Sequence, residues 1–498
     1  MKKILIICGL SFLFFFSKGQ DVVQKELVEL TFEEALAISI ENNLGIQEKK
    51  KGAAMKRQEE KAAKGLYMPN ISLSAAYVST DDDLTIDLGK IRDAILPVYT
   101  TMEKYGKFSD VPNPDPQTNP IMPILPEDIS TQAVRSQIKA GRELLEAQSW
   151  EEMLKKQNFS FVKLNAQYPL YAGGKIRNAN KAAKIQTEEA QNEIEIKKSE
   201  IIIELAERYY GLSLAFAALE VRKEVYDNMK THLNNAQKMK EEGMIANAEY
   251  LHAKVYFSEA DRELKKAERM VAIANSAVLN TFSLTDDKNV KPRSELFVPA
   301  GIEPVEFYLK SIKNENQLLK KVNYKKNLAE IKHKVDQGNI LPTVALSGHY
   351  YVAEKDLTML EPRYQVALGV SIPLFEGGKK YRKLQASKIQ VQQVNDIYSK
   401  VELDLKTAVI KFYQEMNMYF EEIKNLETSR QFAEEYYRIR EKAFNEGMAT
   451  AAEVSDANLA LAKVKIDRLQ AMFHFDVSLA KTLYYAGRMN DFISFTKK

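Results

Sequence analysis

Hydrophobic residues follow two different periods along this chain. In four short segments apolar and polar residues alternate, which is the two-residue period of a β-strand. These segments lie at about 70–78, 159–171, 343–352 and 363–375. Elsewhere apolar residues recur every seven positions, which is typical of helices that pack lengthwise on other helices. The longest such series is Leu205, Leu212, Leu219, Tyr226 and Leu233. The pattern therefore predicts a mainly α-helical protein with a small β part.

Small residues occupy the seven-residue series in two further helices. The first series is Ala253, Ala260, Ala267 and Ala274, and the second is Ala457, Val464, Ala471 and Ser478. Small side chains at a helix seam allow the two helix axes to approach closely. We expect these helices to pair lengthwise with their neighbours and with other chains.

The chain contains an internal repeat. Residues 169–267 correspond to residues 373–471 at a constant offset of 204, and residues 68–78 correspond to 341–351 at an offset of 273. Each copy is predicted to contain a helix, two strands, a long helix, a turn and a second helix. The predicted boundaries are a first copy at 21–290, a linker at 291–303, a second copy at 304–490 and a C-terminal tail at 491–498.

Glycines occur at matching places in both copies. The pairs Gly173-Gly174 and Gly377-Gly378 follow a strand and precede a helix, where glycine adopts positive φ at little cost. The sequence Gly-Gly-Lys at these turns is not a phosphate-binding loop, because the pattern G-x-x-x-x-G-K-[ST] is absent. Gly243 and Gly447 each lie 69 residues beyond the second glycine of a pair. Each is expected to end a long helix before the return helix begins.

The first helix has a clear start signal. Thr31 is followed three residues later by Glu34, which is the pattern of a capping box. The helix is predicted to begin at Thr31 and to continue until just before Pro69.

The first copy also carries about 69 extra residues, in an insertion at about 80–157. Six of the fifteen prolines lie in its segment 111–128, and a helix-like segment then runs to Lys156. Two interpretations remain open at this stage. The insertion is either a defined element that narrows or caps an opening, or a partly disordered surface loop.

The N-terminus resembles an export signal. Lys2 and Lys3 precede an apolar segment at 4–16, and the small residues of the sequence SKGQ follow it. This arrangement predicts a secretory signal peptide at 1–20. The single cysteine, Cys8, lies inside the apolar segment, so the mature chain is expected to lack cysteine and lipid attachment. We therefore expect the protein to be exported from the cytoplasm.

The composition excludes several kinds of chemistry. The net charge of the 498 residues is only +3, and basic residues are interleaved with acidic ones, which argues against nucleic-acid binding. The five histidines form no motif with metal-ligand spacing. They are His232, His252, His333, His349 and His474. We therefore predict no metal site, no cofactor and no enzymatic activity.

The duplicated order of elements resembles the TolC family of outer-membrane efflux proteins over roughly 30–490, without the insertion. The resemblance implies a homotrimer in the outer membrane of a Gram-negative bacterium. Each chain would give four strands to a shared twelve-stranded β-barrel in outer-membrane lipid, and the long helices would form a tunnel across the periplasm. The implied partners are a periplasmic adaptor protein and an inner-membrane pump of the RND or ABC class.

The same resemblance implies roles for the two helical turns. The turns at Gly243-Met244 and Gly447-Met448 would close the channel and dock the adaptor. Glu453 and Asp456 match two acidic residues that line the constriction in the family, and Glu249 lies at the matching place of the first turn. In a trimer the acids would form carboxylate rings that favour cations, with some pKa values raised by mutual repulsion. The alternative is that they are solvated acids on a helix surface.

Two neighbouring positions show how far the resemblance extends. Phe444 keeps the aromatic residue of the family before the second glycine. Ala449 replaces an arginine that locks the turn in the family, so the closing contacts are expected to differ.

Two functions from different classes follow. The first is a passive export duct of a tripartite efflux or type I export system. The second is an exported coiled-coil scaffold without a pore. The apolar rows on all four predicted strands favour the duct, since a scaffold has no need of them.

Overall fold

The structure, a computed structural model, describes residues 26–283, 288–299, 301–356 and 361–496. The predicted signal peptide lies outside these residues. The helices are α1 Phe32–Asn42, α2 Leu44–Lys64, α3 Gly89–Tyr105, α4 Glu127–Ala147, α5 Lys175–Glu241, α6 Asn247–Thr281, α7 Val305–Glu315, α8 Gln317–Gly338, α9 Lys379–Asn445, α10 Ala451–Ala486 and α11 Met489–Phe495. The strands are β1 Glu26–Leu30, β2 Asn70–Ser79, β3 Leu84–Asp87, β4 Glu151–Lys155, β5 Asn158–Ala172, β6 Lys288–Pro292, β7 Thr343–Lys355 and β8 Tyr364–Ser371. No helix in the described part of the chain is long and apolar enough to cross a membrane.

The chain divides into two compact units. The helical unit comprises the residues up to Ala63, Arg177–Asp336 and the residues from Tyr381 onward. Its largest core is aromatic, since Phe32 stacks on Tyr210 and contacts Tyr209 and Phe492 edge-on. All four side chains are fully buried. The core therefore joins α1, the middle of α5 and the C-terminal helix α11.

The first helix of each copy is interrupted at an asparagine. The capping box predicted at Thr31 and Glu34 is present. The predicted continuous helix up to Pro69 is wrong, because Asn43 adopts an extended ψ of 117° and ends α1. Its Oδ1 then accepts a hydrogen bond from the backbone N–H of Ile46 and caps α2. Asn316, at the matching place of the second copy, ends α7 and caps α8 through Leu319 in the same way.

The two long helices α5 and α9 contain 67 residues each. The predicted seven-residue seam describes only part of α5. Leu205 and Leu212 are fully buried, but Leu219 is half-buried and the buried positions then shift to Val225 and Met229. A straight helix with 3.6 residues per turn drifts away from a strict seven-residue repeat, which accounts for the shift.

The sheet unit comprises Lys64–Ile176 and Gln337–Lys380. Its four-stranded antiparallel sheet has the order β2-β5-β7-β8, so β2 and β8 are its edges. The four predicted strands are all present. Sequence reasoning did not find the parallel pair β1 and β6 of the helical unit.

The insertion is an ordered element rather than a partly disordered loop. It contains the antiparallel pair β3 and β4 and the packed helices α3 and α4. The proline-rich connection is fixed by Asn113, whose Nδ2 donates to Thr118 and to the carbonyl of Met122. The guanidinium of Arg135 also donates to the carbonyl of Gly106. The predicted helix-like segment is thus α4, followed by β4.

Candidate functional site at the helical turns

Two turns with the same geometry join α5 to α6 and α9 to α10. Gly243 and Gly447 have φ values of 73° and 75°, so each takes the left-handed conformation that favours glycine. The next residue donates back to the carbonyl five positions earlier, from Met244 to Met239 at 2.7 Å and from Met448 at 2.8 Å. The side chains of Met244 and Met448 are 61% and 71% exposed. Each turn therefore presents one large apolar side chain to solvent.

A small apolar core lies beneath the turns. It is formed by Ala236, Ala253, Phe444, Ala451 and Val454, and the half-buried Ala449 packs against it. The small side chains of this core keep α5, α6, α9 and α10 close together. An arginine at position 449 would have to leave this core to reach solvent, so alanine suits the observed packing.

Glu453 caps the helix on which it lies. Its carboxylate accepts from the backbone N–H of Thr450, and the Thr450 hydroxyl accepts from the backbone of Glu453 in return. Arg440 on α9 lies 3.6 Å from the same carboxylate. The hydrogen bond from Thr450, with a smaller contribution from Arg440, lowers the pKa of Glu453 below its usual value. Within one chain the direction is therefore opposite to the rise expected from a carboxylate ring.

Glu249 lies on α6 of the first hairpin but contacts α10 of the second. Its carboxylate lies 3.0 Å from the backbone N–H of Ala451, the first residue of α10. Ala246 stands where the second copy has Thr450, and it gives α6 no side-chain cap. A carboxylate at the N-terminus of a helix satisfies a free N–H group and the helix dipole together. Glu249 thus joins the two turns.

Asp456 is held by the other hairpin. The Tyr256 hydroxyl on α6 donates to its carboxylate at 2.9 Å, and this bond raises the pKa of Tyr256. Asp456 is otherwise exposed. The structure therefore places Glu249 and Asp456 at the α6–α10 contact, whereas Glu453 contacts Thr450 and Arg440 of its own hairpin.

Several residues at the turns were missed by sequence reasoning. The pattern Thr450-x-x-Glu453 has the same capping signature as Thr31-x-x-Glu34 and could have been found. The contact of Tyr256 with Asp456 spans 200 residues, and that of Arg440 with Glu453 crosses from α9 to α10, so neither left a local signal.

His232 lies within the same region. It is buried, its Nε2 is 3.2 Å from the carbonyl oxygen of Ala451, and its ring contacts Phe444. Burial lowers the pKa of His232, although the hydrogen bond to the carbonyl of Ala451 and the charge of Glu441 oppose the change. The neutral ring therefore donates from Nε2 and fixes α5 against the start of α10.

The comparisons with known proteins agree with this architecture. The family model described as "Outer membrane efflux protein" matches residues 134–281 and 308–475, one segment in each copy of the repeat. Protein CyaE of Bordetella pertussis is 21% identical over 253 residues, which is 50% of this chain and 53% of CyaE. The match therefore spans about half of that relative.

Solved structures share the fold over nearly the whole chain. The outer membrane protein VceC from Vibrio cholerae has a TM-score of 0.66 at 14% identity, covering 92% of this chain and 96% of VceC. The CmeC outer membrane channel of Campylobacter jejuni has a TM-score of 0.65 at 12% identity, covering 94% and 89%. The predicted fold class and family resemblance are confirmed, since the family model covers more than half of the chain: the protein belongs to the outer membrane efflux protein family.

Proposed function

We propose that three copies of this chain form a passive duct in the outer membrane. The duct receives substrates from an inner-membrane pump of the RND or ABC class through a periplasmic adaptor. The chain itself performs no chemistry. One observation carries the proposal, namely the continuous apolar face of the four-stranded sheet.

The apolar face runs across all four strands in register. Leu73 pairs with Leu164, Leu164 with Tyr350, and Tyr350 with Tyr364. These four side chains are 66%, 38%, 43% and 70% exposed. The row one position along carries only polar side chains, Ser72, Asn165, His349 and Gln365. A sheet with an exposed apolar face and a polar opposite face suits a wall between lipid and a water-filled lumen.

The internal repeat predicts the register in which the sheets of neighbouring chains pair. Within one chain, β5 of the first copy pairs with β7 of the second, and Leu164 lies opposite Tyr350. The repeat equivalents of these strands are β8 and β2, which are the unpaired edges. Applying the two offsets places Leu368 of one chain opposite Tyr77 of the next. Three chains joined this way would pool twelve strands and leave no free edge.

The helical turns supply the docking surface for the adaptor. Met244 and Met448 are large apolar side chains on matching turns, and they suit docking of an adaptor that repeats around the trimer. Glu249, Glu453 and Asp456 form an acidic cluster near the turns, in which Glu249 and Asp456 join the two hairpins and Glu453 contacts Arg440 within the second hairpin. In a trimer this cluster would recur around the axis, and its negative charge would favour cations.

The first experiment is the mass of the protein extracted from the outer membrane in mild detergent. A trimer is expected, and a monomer or dimer would overturn the proposal. The register has its own test in the double variant Leu368→Cys with Tyr77→Cys. Oxidation should join neighbouring chains through this pair, since bridged cysteines need Cβ atoms about 4 Å apart. Leu368→Cys with Ile71→Cys is the matched control, because position 71 lies six residues further along β2.

The acidic cluster is tested by currents across planar bilayers. The double variant Glu453→Ala with Asp456→Ala should reduce cation selectivity and block by multivalent cations. Glu241→Ala with Glu242→Ala is the control, because these exposed acids lie at the first turn and outside the α6–α10 contact. Unchanged selectivity in the first variant would remove the two acids from the constriction.

A further inference from the structure

Helix α3 of the insertion carries a regular exposed stripe. Five residues spaced alternately three and four apart all face solvent: Ile91, Ala94, Val98, Thr101 and Tyr105. Three of them are large, with Ile91, Val98 and Tyr105 exposed by 49%, 54% and 69%. None of the five is charged. Alternating steps of three and four are the spacing of a coiled-coil seam, and no element of the described chain covers it.

The opposite side of α3 packs on α4. The ring of Tyr99 lies so close to Gly141 that a Cβ there would be 3.3 Å from it. The guanidinium of Arg142 on α4 lies 2.9 Å from Glu103 on α3. The hairpin is thus fixed at several points along its length, and α3 cannot rotate to bury its stripe against α4.

The base of the hairpin is also fixed. The backbone N–H of Leu88, just before α3, donates to the carbonyl of Trp150 just after α4 at 2.7 Å. At the foot of the insertion, Lys156 lies 2.6 Å from Asp356 at the end of β7. The insertion is therefore fixed at its base, beside the ends of β2 and β7.

The position of the insertion indicates what covers the stripe. The insertion leaves the sheet from β2, which is an edge strand. In the proposed trimer this edge meets β8 of the next chain, so the surface between copies continues directly into the insertion. Threefold symmetry then repeats the same uncharged stripe three times at this end of the sheet. Branched Ile91 and Val98 alternate with the smaller Ala94 and Thr101 at the spacing of a seam between packed helices.

We propose that the α3 helices of three copies pack together through this stripe and close the outer mouth of the channel. The partner is a second and third copy of this chain, and the proposal rests on the trimer proposed above. The contact between the α3 helices would be apolar, so raising the salt concentration should not dissociate it. Its role is to narrow the exit at rest, at the end of the sheet from which the insertion rises.

A single cysteine tests the contact directly. The only native cysteine is Cys8, in the predicted signal peptide, so Val98→Cys gives a mature chain with one thiol. In the trimer, two of the three thiols at the axis can form a disulfide, and oxidation should give a covalent dimer on a non-reducing gel. Ser136→Cys, exposed on α4, is the matched control and should remain monomeric on the gel.

The outcomes distinguish failure of the proposed α3 contact from failure of the proposed duct. If the detergent-extracted Val98→Cys protein has the mass of a trimer but yields no covalent dimer, the seam is wrong and the duct stands. That result would leave an external protein or lipid as the occupant of the stripe. If the extracted protein is not a trimer, the duct proposal itself fails, and the seam fails with it.

A second variant tests the closing role. Val98→Asp places like charges at the axis, where they repel one another, and should raise the single-channel conductance while the trimer mass is kept. Ser136→Asp should leave the conductance unchanged. Equal conductance in Val98→Asp and the parent trimer would overturn the closing role.

Discussion

Gly173 and Gly338 are in direct backbone contact, and a methyl group added to either would overlap the carbonyl of the other. Gly173 belongs to the strand-to-helix turn of the first copy, and Gly338 ends α8 of the second. Their repeat equivalents are Gly377 and Gly65, and a Cβ at either would meet no described atom within 4 Å. The repeat therefore predicts that Gly377 of one chain packs on Gly65 of the next.

Gly65→Ala tests this contact between chains. Gly65 has open space around it in the single chain, so alanine should leave folding unchanged. In the trimer the added methyl group should overlap the neighbouring Gly377 and shift detergent-extracted protein toward monomer. Gly301→Ala, also in open space but in the linker, is the control. A normal trimer in Gly65→Ala would contradict the predicted packing.

Loss of the contacts between the two hairpins should loosen the channel tip. Glu249→Ala removes the carboxylate that caps α10, and loss of such a cap costs about 0.5–2 kcal/mol. Tyr256→Phe removes the hydrogen bond to Asp456 without changing the ring. Both variants should increase single-channel conductance in planar bilayers. Tyr250→Phe is the control, because its ring contact with Lys240 does not need the hydroxyl; an increase there too would disconnect the effect from Asp456.

Acid should destabilise the region around His232. Since burial lowers the pKa of His232, the unfolded chain binds more protons than the folded one below about pH 6.5. The free energy of unfolding contributed by this group is thus present above that pH and falls as the pH drops. His232→Gln should weaken the dependence of Tm on pH between about 7.5 and 5.5. His252→Gln, exposed on α6, should retain it.

The buried Asp476 should have the opposite effect on the pH dependence of stability. Its side chain is fully buried, and burial raises the pKa well above the usual value despite a hydrogen bond from the backbone N–H of Phe297. Above about pH 4 the unfolded chain releases this proton more readily than the folded chain, so stability is lost as the pH rises. Asp476→Asn should raise Tm at pH 7, and the gain should vanish near pH 4. Asp404→Asn, exposed on α9, should change little at either pH.

The insertion should be accessible from outside the cell. Ile121 lies in its proline-rich connection and is 89% exposed, so Ile121→Cys should react with a membrane-impermeant maleimide on intact cells. Met244→Cys, exposed at a helical turn, should react only after the outer membrane is breached. Labelling of both positions in intact cells, or of neither, would contradict the proposed orientation.

The sequence predicted those features that have a local signal. Alternating residues located the four strands, although β8 ends at Ser371 rather than near 375, because Ser371 already pairs with Thr343, the first residue of its partner β7. The two glycine turns were located by their spacing from Gly174 and Gly378. The break at Asn43 was missed, because an asparagine that ends one helix and caps the next resembles any polar helix residue.

The features without a local signal depend on contacts between distant residues. Helix α3 contains Pro97, a residue type that usually interrupts helices. Its packing on α4 stabilises the helix. The contact between Glu249 and Ala451 spans 202 residues. The related feature in the sequence is Ala246, which stands where the second copy has Thr450. This difference alone does not reveal that Glu249 contacts Ala451.

The equal lengths of α5 and α9 restrict how this protein can evolve. Adding one residue to either helix would advance its turn by about 1.5 Å and rotate it by about 100°. Glu249 could then no longer reach Ala451, and the two methionines would face different directions. An insertion or deletion is therefore tolerated only if the other helix acquires its counterpart, so the two copies must change length together even where their sequences diverge.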